Sequence, residues 1–108
     1  MGVYRMHLFQ GHFDEPGIYY VNVEWCSHCK RTRPTMEQLS RELGTACSVF
    51  DVDGDRWGQL MKQRFGANAP ASYPTILYVD REGRTVQFNE ERTVRNLRDF
   101  ACDMTGNC

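Results

Sequence analysis

The sequence predicts an α/β fold in which a central mixed sheet, flanked by helices, ends in a C-terminal β-hairpin and a closing helix. Three observations carry this. Two β-prone runs, Ile18 to Val23 and Ser48 to Val52, alternate with two stretches of helical periodicity, an order that calls for parallel pairing of the two strands. Two further β-prone runs flank Asp80-Arg81-Glu82-Gly83, which suits a tight turn between antiparallel strands. After Thr93 the apolar residues return at helical spacing. No repeat, linker or low-complexity tract interrupts the chain, so residues 1–108 are read as one domain.

Along the chain, Val3 to Phe9 reads as a short strand and Gly11 to Gly17 as a loop carrying Pro16. Ile18-Tyr19-Tyr20-Val21-Asn22-Val23 is nearly unbroken in β-prone residues, which suits a central strand buried on both faces, and its C-terminal end points at Cys26. From Ser27 the pattern turns helical. Met36, Leu39 and Leu43 form the apolar stripe, Pro34 is expected to kink the helix, and Gly44 ends it. Ser48 to Val52 alternates as a second strand. Asp53-Gly54-Asp55 supplies a turn and an N-cap for a helix that carries Trp57, Leu60, Met61, Arg64 and Phe65 up to Gly66. Thr75 to Val79 and Arg84 to Phe88 make the hairpin. Thr93 opens the last helix, with Val94, Leu97, Phe100, Ala101 and Met104 facing inward.

A chain of 108 residues can bury roughly two-thirds of its surface, so it does not need disulfides to fold. Its 13 basic and 14 acidic residues leave a net charge of -1, which provides no global field to draw nucleic acid or an anionic membrane. Met1 to His7 lacks a charged region followed by an apolar stretch, and no segment approaches the roughly 18 apolar residues of a membrane span. The expectation is a soluble, cytoplasmic protein with neither nucleic acid nor membrane as partner. Five cysteines cannot all pair within one chain, which favours a reducing compartment with one special pair.

That pair is Cys26 and Cys29, in Glu24-Trp25-Cys26-Ser27-His28-Cys29-Lys30. The motif at a strand-to-helix junction, Pro34 five residues after Cys29, and Tyr73-Pro74-Thr75 before an apolar strand together resemble the thioredoxin superfamily. The likeness runs from the strand before Trp25 to the strand after Pro74, and the final hairpin and helix also fit. It implies the thioredoxin fold and thiol–disulfide exchange on protein disulfides. The partners implied are those substrates and a dithiol donor or thioredoxin-reductase-like enzyme. No cofactor is needed, since both electrons reside on the two sulfurs.

The chemistry asks for this arrangement. Exchange needs a thiolate, and a cysteine at a helix N-terminus faces free N–H groups and the positive end of the dipole. Cys26 is therefore read as the attacking thiol. Cys29, one turn on, is expected to be more buried and less ionised, and is read as the resolving thiol that releases the partner. Zinc held by Cys26, His28, Cys29 and either Cys102 or Cys108 is the alternative. Structural zinc usually shows a second tight pair, and the Cys102 to Cys108 gap is too loose for one, so no metal is assigned. A structural Cys26–Cys29 disulfide would close too small a loop to constrain the unfolded chain.

By resemblance, the peptide bond before Pro74 is cis and packs beside the cysteines. The backbone of Tyr73 offers main-chain hydrogen bonds to an extended substrate, and Trp25 forms one wall of that surface or lies in the core. His28 stands where disulfide-isomerase-like domains carry His and thioredoxins usually carry Pro. A nearby imidazole stabilises the reduced thiolate and makes the disulfide more oxidising. Lys30, Arg31 and Arg33 oppose the helix dipole, so they either favour the Cys26 thiolate, attract acidic partners, or form a solvated face.

Several residues depart from the family pattern. Tyr20, six residues before Cys26, occupies the place of a buried acid that moves protons for the resolving thiol, and a phenol is a poor base at neutral pH. Val49 or Phe50 falls where that acid's lysine partner would be. Asn68-Ala69-Pro70-Ala71 lengthens the loop before Tyr73, and Asn89 or Glu90 replaces a glycine after the hairpin. The absence of a Gly-Gly-x-Asp pattern disfavours a glutaredoxin. Cys47 reads as a small buried hydrophobe, while Cys102 and Cys108 either form a terminal disulfide or are ordinary thiols. The reading is a protein disulfide reductase. Its alternatives are a disulfide-isomerase-like oxidant and a binding module that kept the fold without turnover.

Overall fold

In the computed structural model, which describes residues 5–107, five strands form one sheet in the order β1-β3-β2-β4-β5. They are β1 (His7–Leu8), β2 (Gly17–Asn22), β3 (Ser48–Asp53), β4 (Thr75–Val79) and β5 (Thr85–Gln87). The helices are α1 (Ser27–Leu43), α2 (Gly54–Phe65) and α3 (Val94–Thr105). β1 and β2 both pair with β3 in parallel, whereas β4 is antiparallel to β2 and to β5. The sheet is therefore mixed, as its connections require: long crossovers join the parallel strands and a tight turn joins the hairpin.

Every residue of β2 is buried. Alternation sends Ile18 and Tyr20 into a cluster with Met36, Leu39, Leu97 and Phe100, and sends Tyr19 and Val21 into a cluster with Phe50, Val52 and Met61. The first cluster lies beneath α1 and α3 and the second beneath α2. Helices thus cover both faces, which is why β2 reads as a continuous apolar run.

The caps explain where the elements stop. Gly44 follows α1 with φ of 54°, a conformation that favours glycine. Asp53-Gly54-Asp55 is not a separate turn: Asp53 closes β3 and accepts from the Asp55 N–H at 3.0 Å, so α2 begins at Gly54. Gly83 ends the hairpin turn with φ of 82°, its N–H donating to the Asp80 carbonyl at 3.0 Å. The return strand is shorter than Arg84 to Phe88. Thr93 caps α3 by accepting from Asn96 N–H; Leu97, Phe100 and Ala101 are buried, while Val94 and Met104 are half-buried.

Of the strand expected over Val3 to Phe9, only His7–Leu8 forms among the described residues, Arg5, Met6 and Phe9 being outside the strand; Val3 and Tyr4 lie outside the described residues. Cys108 does too, and with it any pairing to Cys102. Among the described residues, no helix is long and apolar enough to cross a membrane.

Candidate functional site

β2 delivers the chain to the site. After Asn22 the strand ends, and the Val23 carbonyl accepts from Cys26 N–H at 3.3 Å, turning the backbone into α1. Cys26 is the N-cap, extended at φ -98° and ψ 114°, and its Sγ accepts from Cys29 N–H at 3.1 Å. A sulfur thus stands where Ser or Asp usually caps a helix, directed at the free N–H groups of the first turn. Both cysteines are free thiols and both are buried, Cys26 at 8% exposure and Cys29 at 2%.

The two thiols are driven apart in acidity. Burial alone would raise Cys26, but hydrogen bonds from the Cys29 thiol and from the backbone N–H groups of Cys29 and His28, with the charge of Arg92, bring it below its usual value. Burial raises Cys29 to about 11, and its hydrogen bond to Cys26 and the charge of that thiolate act in the same direction. Such a pair offers one sulfur ready to attack and one held back as a thiol.

Three elements build the wall beside the sulfurs. The Tyr73–Pro74 bond is cis, and Tyr73 packs against Val23, Cys26 and Cys29. Trp25 is 69% exposed rather than in the core. Its ring meets Tyr73 edge-on, with centroids 6.0 Å apart, and its indole N–H donates to Asp55 Oδ2 at 3.0 Å. Gly54, the first residue of α2, makes room for the tyrosine, because a Cβ there would stand 2.5 Å from Tyr73 Cε1. Gly54→Ala is expected to displace Tyr73 and to cost about 1 to 3 kcal/mol of stability, as overpacking does. A denaturant titration followed by circular dichroism measures the stability cost.

A scan against family models matches the model described as Thioredoxin to residues 13–103, most of the chain. The chain belongs to the thioredoxin family. Among curated relatives, a thioredoxin domain-containing protein of Theileria parva is 40% identical over 88 residues, covering 79% of this chain and 38% of that protein. The thioredoxin of Borreliella burgdorferi is 31% identical over 91 residues, covering 81% of this chain and 74% of that one. Among solved structures, the J-Trx1 fragment of ERdj5 superposes with a TM-score of 0.80 at 18% identity, over 93% of this chain and 50% of that one, which speaks for the fold.

Within this thioredoxin-family site, His28 and Lys30, the residues expected to modulate the pair, both stand at the surface. The His28 ring is engaged by Arg31, Nη2 to Nδ1 at 2.7 Å, and what His28 gives Cys26 is its backbone N–H. Lys30 is exposed and borders a cleft of about 320 Å³ that Cys29, Asn22, Arg33 and Asp51 also line. Tyr20, in the place of the family's acid, is fully buried, and its hydroxyl donates to the Cys29 carbonyl at 2.5 Å. Among the described residues, no group of three His, Cys, Asp or Glu side chains could hold a metal ion.

Sequence reasoning missed Arg92. The pairing of Phe88 N–H with the Ile76 carbonyl carries the chain after β5 back past Pro74, and Arg92 Nη2 donates to the Pro74 carbonyl at 3.4 Å. Its charge lowers both cysteines. The available signal was a basic residue just before the Thr93 cap, legible only with the hairpin register in hand. Arg92→Ala is expected to move Cys26 alkylation to higher pH, and raising the ionic strength should shrink the difference from wild type, because this charge is exposed and screened.

Proposed function

We propose that this protein exchanges disulfides with other proteins through Cys26 and Cys29, as a cytoplasmic reductase recharged by a dithiol donor or a thioredoxin-reductase-like enzyme. The observation that carries the reading is the cap itself: Cys26 Sγ accepts the Cys29 N–H at the start of α1, with Cys29 buried one turn on. The Cys26 thiolate attacks one sulfur of a substrate disulfide, forming a mixed disulfide and expelling the other sulfur as a thiolate. Cys29 then loses its proton to solvent and attacks Cys26 Sγ. The Cys26–Cys29 disulfide closes, the second substrate thiolate leaves, and two electrons have passed from the pair to the substrate. Trp25 and Tyr73 wall the approach to Cys26, and the Tyr73 backbone beside Pro74 is the docking edge for an extended segment.

A second reading has a specific observation behind it. Hydrogen bonds that hold Cys26 as a thiolate stabilise the reduced pair, which favours an oxidant or isomerase of the disulfide-isomerase kind. Turnover separates catalysis from mere binding. The wild-type protein should accelerate insulin reduction by dithiothreitol, and Cys26→Ser should not. A folded wild-type protein that gives no acceleration would leave only a binding module on this fold.

A further inference from the structure

The first turn of α1 carries the attacking sulfur, yet taken alone it is a poor helix start. It holds no acidic residue, and Lys30, Arg31 and Arg33 place positive charge near its N-terminus. Pro34 supplies no N–H for the Lys30 carbonyl one turn back. The cap is the Cys26 sulfur, the atom that changes in the proposed reaction. A thiolate accepts a hydrogen bond strongly, whereas a disulfide sulfur accepts one weakly.

Two polar ties from the sheet supply what the helix lacks. Tyr20 of β2 donates its hydroxyl to the Cys29 carbonyl. Burial holds this phenol well above its usual range, so it remains a donor at any ordinary pH. Arg33, one turn further on, donates to Asp51 Oδ2 at 3.0 Å, to Asp51 Oδ1 at 3.3 Å and to Asn22 Oδ1 at 3.0 Å. Its guanidinium carbon lies 5.7 Å from the centroid of the Tyr20 ring. Asn22 joins the ties, donating to Asp51 Oδ1 at 2.7 Å and to the Tyr20 carbonyl at 3.1 Å. Tyr20 and Asp51 are register partners on adjacent strands, so both ties end on one rigid patch of sheet. None of these bonds uses a sulfur atom, so bond-making at Cys26 Sγ takes no partner from them.

We infer that Tyr20 and Arg33 are positioning residues, holding the first turn of α1 so that the His28 and Cys29 N–H groups stay directed at Cys26 Sγ. The tyrosine that replaces the family's acid thereby acts as a fixed donor instead of a proton carrier. The inference rests on the exchange reading above, and its test runs without any substrate. The rate of Cys26 alkylation by iodoacetamide, followed by mass spectrometry across pH, is compared in reduced wild type, Tyr20→Phe and Arg33→Gln. Because Arg33→Gln also removes a charge, the comparison is repeated at high ionic strength, where a shift from lost charge shrinks and a shift from geometry persists.

Each variant should alkylate at least about three-fold more slowly below the midpoint, a rise of about half a pH unit. A merely structural role would lower the melting temperature and leave that midpoint in place. Folded variants with the wild-type midpoint overturn the inference. Should Tyr20→Phe fail to fold, Arg33→Gln decides alone, because its side chain is 38% exposed at the rim of the cleft. Shifted midpoints with no insulin turnover in wild type would defeat the exchange reading and leave the tie standing. Turnover with unmoved midpoints would do the reverse.

Discussion

Cys29→Ser is expected to turn the protein into a covalent trap. With Cys26 intact at the helix N-terminus the first attack proceeds, but no buried thiol stands one turn on to release the partner, so mixed disulfides accumulate. A non-reducing gel should show adducts with disulfide-bearing proteins that added thiol dissolves. Cys26→Ser should form few or none, since the sulfur that receives the Cys29 and His28 N–H groups is gone. Replacing Cys47, Cys102 and Cys108 together should leave the adducts in place. Cys47 is buried at the entrance to β3 with its thiol directed at the Ser48 carbonyl, and neither of the others lies at the start of α1. Equal trapping by the two serine variants would show that the roles are assigned wrongly.

The reduced protein is expected to lose stability between about pH 9 and 11 relative to the oxidised one, by up to about 2 to 3 kcal/mol. The sign follows from Cys29, whose value rises from 9.0 to about 11 on folding. A folded state that binds this proton more tightly than the unfolded chain is favoured below pH 9, and the advantage disappears as pH climbs through the folded value. Cys26 has the opposite sign. Its depressed value adds stability above its unfolded range and withdraws it at lower pH, so it adds no slope in the alkaline window. Cys47 is also raised by burial, but it is a thiol in both redox states and cancels from the comparison. Urea midpoints of the two redox forms at several pH values measure the gap, which should widen from pH 9 to 11. A gap independent of pH in that window would mean that Cys29 is not held as a buried thiol.

What the sequence made legible was what depends on short spacing. The unbroken β-prone run of Ile18 to Val23, the alternation in Ser48 to Val52, the Met36, Leu39 and Leu43 stripe, and the turn signal at Asp80 to Gly83 are local, and each element stands close to where its pattern puts it. The cysteine pair was legible for the same reason, since two residues and a strand-to-helix junction define it. What escaped depends on register between distant strands. Nothing in the chain announces that Asp51 lies beside Tyr20 or that Arg33 reaches it over 18 positions. Arg92 reaches Pro74 only because the hairpin folds back. In the sequence Tyr20 stands as a missing acid, which describes what the phenol cannot do. Its hydrogen bond to Cys29 required the helix to be set down on the sheet.

The most direct test of a redox-active Cys26–Cys29 pair with a stabilised thiolate is equilibration against a glutathione redox buffer, with the disulfide mapped by mass spectrometry. The account predicts a single two-electron couple that joins Cys26 to Cys29. Its potential should be more oxidising than the roughly -270 mV of thioredoxin and nearer the roughly -180 mV of disulfide isomerase, because the Cys29 and His28 N–H groups favour the reduced form. A potential at or below about -270 mV would contradict the stabilised thiolate and favour the plain reductase, and a pair that forms no Cys26–Cys29 disulfide in any buffer would contradict the exchange itself.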